Sequence, residues 1–80
     1  ADGSPDISTQ RALLESILKL TCDKLVLSHC AALTDEYLIL LIQKNGNNLI
    51  YLDLRECNAI TEKSLYLLSE KCLYLQTLYI

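Results

Sequence analysis

The stretch Leu52-Asp53-Leu54-Arg55-Glu56-Cys57-Asn58-Ala59-Ile60-Thr61-Glu62 has a near copy 27 residues upstream, Leu25-Val26-Leu27-Ser28-His29-Cys30-Ala31-Ala32-Leu33-Thr34-Asp35. The apolar positions of the Leu-x-Leu run, the cysteine, the apolar residue before the threonine and the threonine itself all coincide. The match continues downstream, with Leu38 paired to Leu65 and Leu41 to Leu68. Self-similarity at a fixed spacing of this size marks a chain built from stacked supersecondary units.

Further partial copies lie outward from this pair. Leu75-x-x-Leu78-x-Ile80 repeats Leu49-x-x-Leu52-x-Leu54 at a spacing of 26, and Cys22-x-x-Leu25-x-Leu27 is the same element earlier. Ile7-Ser8-Thr9 aligns with Leu33-Thr34-Asp35, also at 26. The extra residue of the longer period falls at Gly46-Asn47-Asn48, a turn that can absorb it. The chain thus reads helix, strand, helix, strand, helix, strand.

Each segment type has a local cause. Side chains alternate faces along Leu-x-Leu, so Leu25, Leu27, Leu52, Leu54, Leu78 and Ile80 are expected inside. Lys24, Val26, Ser28, Tyr51, Asp53, Arg55, Thr77 and Tyr79 are expected outside. Thr34 and Thr61 are candidate N-caps, and Asp35, Glu36 and Glu62 place negative charge at positive helix ends. Leu38, Leu41 and Ile42, and again Leu65, Leu68 and Cys72, form apolar stripes at helical spacing. Gly46 is the expected stop of the middle helix. The spacing predicts helices near 8–19, 34–45 and 61–72 and strands near 24–28, 51–55 and 77–80. The first helix should bury Leu13, Ile17 and one of Leu14 and Leu18. Residues 1–6 read as a tail, disordered or left by cloning, and residues 7–80 as repeats.

Composition narrows the function. The 80 residues are 51% hydrophobic without Phe, Trp or Met, which argues for one small domain with a recurring packing site. Net charge is −3, with no basic run of the kind phosphate contacts need, so nucleic acid is not an expected partner. The longest apolar run, Tyr37 to Ile42, is too short to span a membrane. Cys22, Cys30, Cys57 and Cys72 could supply a disulfide framework, but so leucine-rich a chain points to reduced, buried thiols and an intracellular (cytoplasmic or nuclear) setting.

A unit of one strand and one helix cannot bury its own apolar face. Stacked side by side, such units form a parallel sheet on one side and a helical layer on the other. Helices are wider than strands, so the stack should curve with the sheet concave.

The run Leu52-x-Leu54-x-x-Cys57-x-x-Ile60-Thr61, followed by Leu65, Leu68, Cys72 and Leu75, resembles the cysteine-containing class of leucine-rich repeat. The upstream copy fits with Leu33 for Ile and Asn45 at the second cysteine position. The resemblance implies an α/β solenoid fragment, right-handed, with parallel strands on the concave face and helices on the convex face. The class is best known from the substrate-binding arms of F-box proteins in cullin ubiquitin ligases, so it implies a protein–protein interaction module. No F-box pattern is present, and adaptor or cullin contacts would come only through regions outside these residues. The last strand stops within the next repeat. That suggests a piece of a longer arm, or a small structural subunit docking into a larger assembly through its open edge.

The expected partner-binding residues are Lys24, Val26, Ser28, His29, Tyr51, Asp53, Arg55, Glu56, Thr77 and Tyr79. Tyrosine and arginine anchor interfaces because they bury much area and still hydrogen-bond. A protein partner is expected there or at the open C-terminal edge. Catalytic, metal and cofactor roles are not expected. Cys30 and Cys57 lie a whole repeat apart with a single histidine available, which does not suit zinc. Cys30 and its neighbour His29 should point to opposite faces, with no oxyanion donors near them. Tyr37, Tyr66 and Tyr74 are expected to pack along the helical side.

Overall fold

The computed structural model describes residues 6–80. Three helices, α1 (Ile7–Ile17), α2 (Asp35–Asn45) and α3 (Glu62–Lys71), alternate with three strands, β1 (Lys24–Val26), β2 (Tyr51–Asp53) and β3 (Thr77–Tyr79). The strands form one parallel sheet in the order β1-β2-β3. Lys24, Tyr51 and Thr77 share one rung, Leu25, Leu52 and Leu78 the next, and Val26, Asp53 and Tyr79 the third. The sequence alignment and the strand register are therefore the same alignment.

Pairing runs beyond the short strands. Leu27 N–H donates to Asp53 O at 2.9 Å and His29 N–H to Arg55 O at 2.8 Å. α2 packs on α3, and both contribute to the core beneath β1 and β2. Leu33, Leu38, Leu41, Ile42, Leu49 and Leu52 form its centre, all at 1% exposure or less. Leu25, Leu27 and Leu54 complete it from the strand side.

Matched positions make matched bonds. Leu33 N–H donates to Cys30 O and Ile60 N–H to Cys57 O, each at 3.3 Å. His29 and Glu56, which occupy the same place in the two turns, both lie in the left-handed region, with φ of 61° and 59°. The extra residue of the longer period is visible in one pair of bonds: Leu49 N–H reaches back to Asn45 O, whereas Leu75 N–H reaches only to Cys72 O. The slack lies between them, at Gly46-Asn47-Asn48.

Several expectations need correction. Residues 1–5 lie outside the described residues, but Asp6 is no part of a tail. It is the N-cap of α1, accepting from Thr9 N–H at 2.8 Å. α1 buries Leu14, with Ile17 and Leu18 half-buried, while Leu13 is 53% exposed because nothing packs outside that flank. α1 ends at Ile17, two residues early, and Lys44 Nζ donates to the Leu18 carbonyl at 2.7 Å. Leu78 and Ile80 share the inward parity of Leu52 and Leu54 but stay exposed, because no further strand or helix covers them. Tyr66 and Tyr74 are exposed rather than packed.

The caps also differ from expectation. Thr61 Oγ1 accepts from Lys63 N–H, whereas the Thr34 side chain makes no capping bond. Gly46 ends α2 as its C-cap, as expected, but without turning left-handed; its φ is −50°. A Cβ there would stand 2.8 Å from Ile42 O and 3.0 Å from Lys71 O. Glycine lets the end of α3 approach the end of α2.

Candidate functional site: the outer face of the sheet

The outer face collects the alternate side chains that the core does not take. Lys24 Nζ sits 4.5 Å above the ring centroid of Tyr51. Tyr51 meets Tyr79 edge to face, with centroids 5.7 Å apart and planes at 61°. The Arg55 guanidinium lies 4.6 Å above the Tyr79 ring. Arg55 then grips Asp53 through two bonds, Nε to Oδ1 at 3.1 Å and a terminal nitrogen to Oδ2 at 2.8 Å. Five side chains from the three strands and the turn after β2 thus form one connected chain, Lys24–Tyr51–Tyr79–Arg55–Asp53. Each contact is small on an exposed surface, but linked side chains have fewer rotamers left to lose on binding.

Asp53 departs from its expected role. It faces outward by parity, yet its side chain is only 3% exposed while that of Arg55 is 56% exposed. Its carboxylate also accepts from the Arg55 backbone N–H at 3.1 Å. Asp53 is therefore an anchor that aims Arg55, not a contact surface. The Arg55 hydrogen bonds hold its pKa below the usual aspartate value despite burial, and Asp53 in turn raises that of Arg55. Burial, followed by the Tyr79 and Asp53 charges, raises the Tyr51 hydroxyl pKa.

The remaining candidates lie around this chain. Val26 is 57% exposed on β1, Thr77 and Ser28 are half-buried, and His29 and Glu56 stand exposed on the two left-handed turns. His29 and Glu56 line a shallow concavity with Ala31, Asn58 and Ala59, at the end of the face where the strands give way to turns.

Other polar groups have structural work that composition alone did not reveal. Asn45 is fully buried, with Oδ1 accepting from Cys22 N–H at 2.8 Å and Nδ2 donating to Leu41 O at 3.3 Å. Gln10 Oε1 accepts from Ala32 N–H at 2.9 Å. Both tie a helix to a neighbouring turn. Their signal in the sequence was a polar residue on an otherwise apolar stripe, which alone does not say what it meets.

The cysteines are free thiols. Cys57 Sγ donates to Leu27 O at 2.9 Å, joining one repeat turn to the strand before it. Burial raises the pKa of Cys57 and Cys72, which disfavours the thiolate that nucleophilic or metal chemistry needs. Among the described residues no group of three or more His, Cys, Asp or Glu side chains is placed to hold a metal ion. No helix among them is long and apolar enough to cross a membrane.

No family model, curated protein or solved structure matches the chain. The functional reading therefore rests on these side chains and their arrangement.

Proposed function

We propose that the chain is a protein-binding segment of a leucine-rich-repeat solenoid of the cysteine-containing class. Its outer sheet face receives a protein partner, as substrate-recognition arms of F-box ubiquitin ligases do. The carrying observation is the linked set Lys24–Tyr51–Tyr79–Arg55, aimed from below by Asp53. An aromatic pair flanked by two cations offers large rigid contact area with directional donors, the composition found at interface anchors. The shared register of the 26- and 27-residue units supports the solenoid reading, since each unit adds one strand in step with the last.

The test compares proteins retained from cell extract by the immobilised chain and by three variants. Tyr51→Ala and Arg55→Ala alter the proposed face. Tyr66→Ala alters an exposed residue on α3, 69% exposed, as a control. A protein held by wild type and Tyr66→Ala but lost from both face variants is the expected result. Retention that is indifferent to all three substitutions sinks the reading. If the captured protein's ubiquitination in cells does not depend on the full-length protein, the ligase part fails while the binding part stands.

A second reading, a structural segment docking through the β3 edge, draws on the exposed apolar side chains Leu78 and Ile80 at that edge.

A further inference from the structure

The dipeptide Asn45-Gly46 sets the most labile sequence of the chain in one of its most confined places. In an open chain, the backbone nitrogen after an asparagine attacks the side-chain amide carbon. Glycine has no side chain to shield that nitrogen and leaves the backbone free to turn, so Asn-Gly reacts fastest. The other asparagines, Asn47, Asn48 and Asn58, precede Asn48, Leu49 and Ala59, whose side chains hinder the attack. These three asparagines are exposed, whereas Asn45 and Gly46 are buried. Reactivity and access are inverted.

The folded site withholds each requirement of the attack. Asn45 Oδ1 accepts from Cys22 N–H at 2.8 Å and Nδ2 donates to Leu41 O at 3.3 Å, so the side chain is held away from Gly46 N. Gly46 N–H, which must lose its proton, donates to Ile42 O at 2.7 Å. The Asn45 carbonyl accepts from Asn48 N–H at 2.8 Å and from Leu49 N–H at 2.9 Å, which fixes the backbone between them. Asn45 is 0% exposed, so neither base nor water reaches it.

We propose that Asn45-Gly46 is a self-modification site that the fold keeps shut, and that its conversion to aspartate or isoaspartate is a one-way consequence of opening the end of α2. On opening, Gly46 N gives its proton to hydroxide and bonds to Asn45 Cγ. The Cγ–Nδ2 bond breaks, ammonia leaves, and a five-membered imide remains. Water then adds to one imide carbonyl. Addition at Cγ restores the backbone and leaves aspartate, while addition at the backbone carbonyl leaves isoaspartate. One water enters and one ammonia departs, with no oxidant or reductant.

Neither product fits the site it came from. Aspartate keeps an acceptor for Cys22 N–H but turns a second oxygen toward Leu41 O, two acceptors facing each other in a buried place. Isoaspartate adds a methylene to the backbone and frees the carbonyl group that served Asn48 and Leu49. It does so beside Gly46, where even a Cβ would lie 2.8 Å from Ile42 O and 3.0 Å from Lys71 O. Conversion therefore drains the opened state irreversibly. The proposal rests on this dipeptide alone and on neither the repeat class nor the outer-face reading.

The test incubates the 80-residue chain in mildly alkaline buffer, folded and in concentrated urea. Peptide mass spectrometry reads the mass gained at each asparagine, and chromatography separates the two products. In urea, Asn45 is expected to convert ahead of Asn47, Asn48 and Asn58. In the folded chain it should convert about tenfold more slowly or less, as a site that reacts only on opening does, and should fall behind the exposed three. Equal rates at Asn45 in both conditions overturn the proposal, as does Asn45 leading in the folded chain. Asn45→Asp stands for the aspartate product. It is expected to unfold at lower denaturant than wild type at neutral pH, or not to fold, with any deficit shrinking in acid, where a neutral carboxyl can donate to Leu41 O. A midpoint equal to that of wild type at neutral pH, together with isoaspartate chains that refold like wild type, overturns the one-way part.

Discussion

Asp35, the first residue of α2, closes the N-terminus of α3: its carboxylate accepts from Thr61 N–H at 2.9 Å, from Thr61 Oγ1 and from Ser64 Oγ. A side chain from one repeat thus serves an orphan donor of the next, where a negative charge also meets the positive helix end. The two repeats are joined by electrostatics at one end of their helices and by glycine-permitted close approach at the other.

These bonds hold the Asp35 pKa below its usual value, the Ser64 hydroxyl contributing most. A carboxylate with a depressed folded pKa stabilises the fold above its unfolded pKa, near 4, and that contribution is lost as pH falls through the folded value. Asp35→Asn is expected to lower the denaturant midpoint at pH 7 and to flatten the decline below about pH 4. The slope will not vanish, because Asp6 and Asp53 are shifted in the same direction. Equal acid sensitivity in wild type and variant would contradict the cross-repeat role.

Arg55→Ala should strip the Asp53 carboxylate of its guanidinium cover and both guanidinium bonds, leaving it the bond from a backbone N–H. Its pKa should rise and the protein should be less stable at pH 7. The difference from wild type should shrink in acid, where Asp53 takes up a proton and no longer needs a cation. Chemical denaturation at pH 7 and at about pH 3 reads both parts. A deficit of the same size at both pH values would place the effect in lost packing instead.

Asn45→Ala removes the acceptor for Cys22 N–H and should cost about 1–3 kcal/mol, the usual penalty for orphaning a buried donor. Thermal or urea unfolding measures it. A cost near zero would mean that water or another acceptor reaches Cys22.

Gly46→Ala should destabilise by about 1–3 kcal/mol, since a methyl group would crowd the carbonyls of Ile42 and Lys71. At its φ of −50°, where alanine has no conformational penalty, any loss comes from crowding alone. A stabilised variant would show that α3 can move away at no cost.

Leu52→Ala, at the fully buried centre of the middle strand, should cost about 2–5 kcal/mol. Leu13→Ala, 53% exposed on α1, should lie within about 0.5 kcal/mol of wild type. Comparable losses at both positions would mean that α1 packs more tightly than its exposed flank indicates.

Repetition made much of this architecture legible. Leu25 and Leu52 could be paired from spacing alone, and the sheet pairs them. Parity also put Tyr51, Arg55 and Tyr79 on one face. What stayed hidden depends on neighbours. Helical spacing put Leu13 inside and left Leu14 as an alternative to Leu18, yet Leu14 is the buried one and Leu13, without cover beside α1, is exposed. Asp53 was legible as outward but not as buried, because its burial is made by the folded-back side chain two residues later. Gly46 was legible as the stop of α2, but a sequence does not show the carbonyl that arrives there from a residue 25 positions away. Thr34 and Thr61 both stand at N-caps, yet only the Thr61 side chain makes a capping bond, and its hydroxyl is also held by Asp35.

The two left-handed turns set stability and surface chemistry against each other. A side-chain-bearing residue in that region costs about 1–2 kcal/mol relative to glycine, and the chain meets this cost at His29 and again at Glu56. Glycine at both positions would relax the backbone and harden the protein against heat, while erasing an imidazole and a carboxylate from the rim of the outer face. A thermostable double variant with impaired recognition would show strain retained for the sake of the side chains it carries, at two positions one repeat apart.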